Sequence, residues 1–133
     1  MTNENSGKKI KLLLAEDDKF ISRAYVDGLT RAGIDVVLAS DGEEAIKKIN
    51  AEKPDIILLD VIMPEKNGFE VLQSIKAVDG LKSIPVVILS NLGQESDIQK
   101  GKELGADDYL IKSNFSIKEV VEKIQSILAV KNA

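Results

Sequence analysis

One stretch, residues 55–68 (DIILLDVIMPEKNG), constrains the fold more than any other part of the chain. Its residues 56–59 are apolar without interruption and stop at an acid, Asp60. A run so short and so apolar reads as a strand buried on both faces, the kind found inside a parallel sheet. Asp60 then stands at the strand's carboxyl end, the edge of an open parallel sheet where ligands and chemistry collect. Pro64 and the Asn67-Gly68 pair force a loop directly after it, so the acid is presented at a mouth. Asp60 is the first candidate for a reactive group.

The rest of the chain repeats the alternation that this strand implies. Residues 10–15 (IKLLLA) form a first strand that ends in three acids, Glu16, Asp17 and Asp18. Phe20, Ile21, Ala24, Tyr25 and Leu29 then fall at helical spacing, and Gly33 closes that helix. Residues 34–39 (IDVVLA) are a second strand, followed by a helix whose start carries Ser40 and Glu43 as a capping box and which Pro54 ends. Phe69, Val71, Leu72 and Ile75 mark a helix after Gly68, and residues 85–90 (PVVILS) are a fourth strand. The segment 94–104 is helical but offers only Ile98 and Leu104 as anchors, which predicts the least rigid helix. Residues 108–111 (DYLI) give a fifth strand. Ser116 and Glu119 then cap an amphipathic helix carrying Ile117, Val120, Val121, Ile124, Ile127 and Leu128. Five strands alternating with five helices imply a doubly wound α/β domain, a parallel sheet covered on both faces with right-handed crossovers. Residues 1–8 read as a flexible tail, 9–130 as the single domain and 131–133 as a C-terminal tail, with no output domain following.

Composition removes several classes of chemistry. The 133 residues contain neither cysteine nor histidine, so disulfides, thiolate metal sites and the commonest zinc ligand are excluded. A metal, if bound, is hard and held by oxygen. The net charge of -4, with no basic run to offset it, argues against direct contact with nucleic acid. No apolar run approaches the roughly 20 residues that a membrane-spanning helix needs. The opening MTNENSGKK also lacks the apolar core of a signal peptide, so a cytoplasmic protein without a membrane partner is expected.

In this topology the first and third strands flank the switch in strand order, which brings Glu16 and Asp17 beside Asp60. Three carboxylates sharing a small volume call for a cation, and all-oxygen donors suit Mg²⁺ or Mn²⁺. The fourth strand delivers Ser90 to the same edge and the fifth delivers Lys112. Taken singly, each of these residues is explained by turn formation, capping or solvation. An acid pair, an acid, a hydroxyl and an ammonium at the ends of four strands converge on one rim, which turn chemistry does not explain.

The sequence resembles a response regulator receiver domain, the CheY-like phosphoacceptor module of two-component signalling. The matching segments are LLLAEDD at 12–18, DIILLDVIMPEKNG at 55–68, PVVILS at 85–90 and GADDYLIK at 105–112. The spacings from Asp17 to Asp60 to Ser90 to Lys112, of 43, 30 and 22 residues, fit as well. The resemblance implies a five-stranded sheet in the order 2-1-3-4-5. It implies that Asp60 is the nucleophile that accepts a phosphoryl group from a phosphohistidine on a sensor histidine kinase or histidine phosphotransfer protein. It further implies Mg²⁺ held by Asp17, Asp60, the Ile62 backbone carbonyl and, through water, Glu16. Lys112 would grip a phosphoryl oxygen, Ser90 would move to bond another, and Tyr109 would rotate inward as the readout. A downstream protein would read the 94–125 face. Such a module catalyses only its own phosphoryl transfer and a slow autodephosphorylation.

Four positions depart from the family's usual pattern. Glu16 replaces the more frequent aspartate, Ser113 follows Lys112 where the family has a proline in a cis peptide, and Ile62 and Leu92 are apolar where side chains influence dephosphorylation. The serine predicts an altered loop around Lys112, since a cis bond without proline costs about 2.5 to 4 kcal/mol. Rival readings fit less well. A haloacid dehalogenase-type phosphatase needs a second acid two residues after the nucleophile, where Ile62 stands. A flavodoxin-type binder needs a Gly- and hydroxyl-rich phosphate loop after the first strand, where EDDKF would repel phosphate. A receiver-like docking module that is never phosphorylated would not need the complete residue set.

Overall fold

A computed structural model describes residues 9–131. Five parallel strands, β1 (Lys11–Ala15), β2 (Asp35–Ala39), β3 (Ile56–Leu59), β4 (Val86–Ser90) and β5 (Asp108–Ile111), lie in the order β2-β1-β3-β4-β5. The helices α1 (Lys19–Arg31), α2 (Gly42–Glu52), α3 (Gly68–Lys76), α4 (Glu95–Glu103) and α5 (Ile117–Lys131) alternate with them. This is the expected fold and strand order. Lys131, read from the sequence as the start of a tail, is the last residue of α5. The tails expected at 1–8 and 132–133 lie outside the described residues.

Strand parity divides the core into two layers. Leu12, Leu14, Ile56, Leu58, Val87, Leu89 and Leu110 pack with Tyr25 and Leu29 of α1 and with Val120, Ile124 and Leu128 of α5. The alternate residues Leu13, Ala15, Ile57, Leu59, Val86, Ile88 and Tyr109 pack with Ala45 and Ile49 of α2 and with Phe69, Val71, Leu72 and Ile75 of α3. All of β3 is buried because both of its faces are covered, which is why it reads as an unbroken apolar run rather than an alternating one.

Two local expectations differ from the structure. The N-cap of α2 is Asp41, whose carboxylate accepts the Glu44 N–H at 2.8 Å, and Ser40 instead donates to the Glu44 side chain. An acid one residue later caps the helix and takes the next orphan N–H, that of Glu44, so the sequence signature was shifted by one position. In α1 the buried stripe runs through Ser22, Tyr25 and Leu29, while Ala24 is exposed and Phe20 is 88% exposed beside the acidic end of β1. The Ser116–Glu119 capping box forms as expected. In α4 the one fully buried position is Gly101, which faces Ile88 and the Tyr109 ring. That helix is anchored as thinly as its composition predicts.

Candidate functional site

The sheet itself carries the acids to one rim. The Glu16 N–H donates to the Ala39 carbonyl and the Asp60 N–H to the Ala15 carbonyl, each at 3.0 Å, so the ladder continues one residue past β1 and past β3. Glu16 is 3% exposed and Asp60 7% exposed, whereas Asp17 is exposed. One carboxylate oxygen from each of Glu16, Asp17 and Asp60 lies within 4.8 Å of the other two. A donor set made of oxygen alone, part buried and part open, fits a hard divalent cation.

Lys112 enters this cluster from the end of β5. Its ammonium donates to Glu16 Oε1 at 2.6 Å and to Asp60 Oδ2 at 3.1 Å. The second Glu16 oxygen accepts the Asp18 N–H at 3.1 Å, and Asp60 Oδ1 accepts the Ile62 N–H at 3.4 Å. Burial opposes the Lys112 charge, but the two carboxylates outweigh it and hold the ammonium above the ordinary lysine range. Burial pushes the Glu16 carboxyl up, helped by the Asp60 charge and resisted by its bonds to Lys112 and Asp18. The glutamate at 16, one methylene longer than aspartate, thus reaches across the rim to Lys112.

Strand parity also splits the site, a feature the sequence reading did not use. Residues 16, 60 and 112 continue the α1/α5-facing alternation of β1, β3 and β5, and these are the three that bond to one another. Ser90 continues the opposite alternation, and it meets Tyr109. Ser90 Oγ accepts the Leu92 N–H at 3.2 Å, and the Tyr109 hydroxyl, beside Ser90, donates to the Leu92 carbonyl. Tyr109 is already inside the core in this state, whereas an inward rotation was expected of it on phosphorylation. The expected alteration near Ser113 takes a definite form. No peptide bond among the described residues is cis, residues Lys112–Asn114 make a single 3-10 turn, and the Ser113 N–H donates to Asn91 Oδ1 at 3.1 Å. A proline at 113 has no N–H to give.

The loop after Asp60 is fixed by a glycine. Gly68 donates its N–H to the Val61 carbonyl at 2.8 Å, and a Cβ at this position would lie 2.2 Å from the Asp60 carbonyl oxygen. Val61 and Met63 are buried, while Ile62 between them is 60% exposed at the rim.

This geometry agrees with what the chain matches. The family described as "Response regulator receiver domain" matches residues 12–125. The chain belongs to the response regulator receiver domain family. The receiver domain is 42% identical over 118 residues to the alkaline phosphatase synthesis transcriptional regulatory protein PhoP of Bacillus subtilis (strain 168), covering 89% of this chain and 48% of PhoP. To the transcriptional regulatory protein CpxR of Escherichia coli (strain K12) it is 41% identical over 118 residues, covering 89% of this chain and 49% of CpxR. The chain therefore spans about half the length of these curated relatives. Among solved structures, the receiver domain of Francisella response regulator 1452 superposes with a TM-score of 0.84 at 34% identity, covering 94% of this chain and all of that one. The chemotaxis protein CheY4 of Vibrio cholerae superposes with a TM-score of 0.83 at 30% identity, covering 89% and 98%. Receiver domains are the phosphoacceptors of two-component signalling. They bind Mg²⁺ and work with kinases and phosphotransfer proteins. None of the helices among the described residues is long and apolar enough to cross a membrane.

Proposed function

We propose that Asp60 is the phosphoacceptor of this receiver domain and that Glu16, Asp17, Ser90, Lys112 and Tyr109 serve it. The observation that carries this reading is the bridge from the Lys112 ammonium to Asp60 and Glu16 at the mouth of the sheet. An Asp60 oxygen attacks phosphorus while the bond to the donor's histidine nitrogen breaks, and the imidazole takes its proton from solvent. Asp17, Asp60, the Ile62 carbonyl and, through water, Glu16 would hold Mg²⁺ or Mn²⁺. The ion supplies neutralisation of the phosphoryl charge. Phosphoryl transfer needs positioning and charge compensation more than covalent help, so Lys112 has only to exchange a carboxylate for a phosphoryl oxygen. Ser90 bonds a second phosphoryl oxygen, which removes it from Tyr109.

Exposure of purified protein to acetyl phosphate and Mg²⁺ should add one phosphoryl group by intact mass. Asp60→Asn should gain none. A modification that persists in Asp60→Asn, or none in the wild type, would leave only a docking module.

On this reading the chain acts in the cytoplasm, where sensor histidine kinases and histidine phosphotransfer proteins present their phosphohistidines, and its output partner is a protein, with no direct nucleic-acid contact. That partner reads the 94–125 face, because α4 is thinly anchored and its buried glycine rests on Tyr109. Drawing Ser90 away from Tyr109 biases this thinly anchored element. Amide hydrogen exchange with a phosphoryl mimic is expected to change in α4, β5 and the start of α5. Changes confined to residues around Asp60 would count against this face.

A further inference from the structure

We propose that Gly42, at the start of α2 and outside the residues that touch the phosphoryl group, is a positioning residue for the Asp60 site. The inference rests on the reading of Asp60 and its metal given above. The loop 61–67 carries Ile62 and determines where its backbone stands relative to Asp60. Gly68 supports that loop from one end, and α2 supports it from the side. The Gly42 N–H donates to the Pro64 carbonyl at 3.3 Å. A Cβ at Gly42 would lie 1.9 Å from the Lys66 carbonyl oxygen and 2.6 Å from both the Lys66 carbonyl carbon and Cβ. These are largely backbone atoms, so no side-chain rotation relieves the overlap.

The loop has little freedom to absorb such a push by itself. Val61 and Met63 are buried in the α2/α3-facing core, and Ala45, one turn into α2, belongs to the same cluster. Glu65 already sits at φ 69°, in the left-handed region that is unfavourable for a residue with a side chain. The Glu43–Lys66 ion pair, at 3.8 Å and largely solvated, adds little. What holds the loop against α2 is the close backbone approach that a hydrogen atom at position 42 permits. A methyl group there displaces residues 64–66 by an ångström or more, and the displacement is passed along the loop to Ile62. Misplacement on that scale costs about a hundredfold in the rate of a reaction that depends on positioning, and it moves a backbone ligand away from the metal.

The test is made on the full chain with Mg²⁺ as the probe. Gly42→Ala is expected to raise the Mg²⁺ dissociation constant by about tenfold, the equivalent of about 1.4 kcal/mol, in isothermal titration. Amide exchange in the metal-free protein should quicken at residues 61–68 and remain slow in β1, β3 and β4. Adding Lys66→Gly removes one of the overlapping atoms and loosens the backbone, so the double variant should regain most of the affinity. Gly80→Ala is the control, since a Cβ there meets nothing within 4 Å, and it should bind as the wild type does. A purely structural role for Gly42 would lower stability without changing the dissociation constant of folded protein. A Gly42→Ala constant within threefold of the wild type would therefore overturn the proposal. Should Gly42→Ala fail to fold, Pro64→Gly loosens the same loop and keeps both hydrogen-bonding atoms. It should weaken Mg²⁺ binding severalfold, and unchanged binding in that variant would likewise overturn the proposal. A wild type that bound no Mg²⁺ would remove the metal site itself, an outcome distinct from failure of the Gly42 variants.

Discussion

Lys112→Ala is expected to lower the stability of the metal-free protein by about 3 kcal/mol, because removing one partner of a buried ion pair leaves the others uncompensated. Glu16 and Asp60 both lose their cation, and each is nearly covered. For a chain of this size the loss corresponds to a fall of about 10 °C in melting temperature. Lys82→Ala breaks an ion pair with Asp79 whose side chains are 58% and 96% exposed, and should cost under about 1 kcal/mol. Millimolar Mg²⁺ should return much of the Lys112→Ala loss by binding only the native cluster. Asp17→Asn should behave oppositely, with a slightly higher melting temperature without metal and no rise when metal is added. The pH dependence has a definite sign. The folded-state Lys112 value lies above the unfolded one near 10.5, so the pairing contributes fully below that pH. It is lost as pH rises through the folded value, and the gap between wild type and Lys112→Ala should close only in strongly alkaline solution. An equal melting temperature for the two proteins at neutral pH would refute the role of the bridge.

The second large effect concerns how long phospho-Asp60 persists. Hydrolysis needs a water placed in line with the bond from the Asp60 oxygen to phosphorus, and positioning is a large part of such catalysis. Ile62 stands exposed at the mouth and offers that water no hydrogen bond. Leu92 is only partly buried, packed against the α2/α3-facing core, with its carbonyl committed to Tyr109. A tenfold slowing needs only about 1.4 kcal/mol of barrier, which one absent hydrogen bond can account for. Ile62→Asn should shorten the half-life by about tenfold. Leu92→Glu should shorten it less and cost stability as well, because it puts a charge against the core edge. Decay measured by intact mass in the two single variants and the double variant checks this. A wild-type half-life of seconds, or no acceleration in any variant, would rule it out.

Most of the fold was legible because the central strands β1, β3 and β4 are buried on both faces and announce themselves as apolar runs. β3 was read to the residue, and β1, β2 and β4 to within one at their amino ends. The candidate site residues at strand ends stood out for the same reason, since the apolar runs of β3 and β4 stop at Asp60 and Ser90. Other features depend on tertiary distance. The backbone contact at Gly42 has no local signature, because a glycine at a helix start reads as an ordinary cap neighbour. Phe20 satisfies helical spacing yet points outward, since the buried stripe of α1 passes through Ser22 instead. The pairing of Glu16 with Lys112 was within reach: counting by twos from the core of β1 and β5 puts both on one side of the sheet and Ser90 on the other.

The hydrogen bond between Asn91 and Ser113 joins the neighbours of the two groups proposed to grip the phosphoryl group, Ser90 and Lys112. Where a chain carries proline after the lysine, this link cannot form. Both residues are exposed, so the bond is worth about 1 kcal/mol, and that value bounds the coupling free energy it can transmit. About a fivefold bias follows: once Lys112 has shifted, the loop bearing Ser90 is that much more often in the matching position. Part of the entropy of closing two separate loops over one ligand is then spent before the ligand arrives.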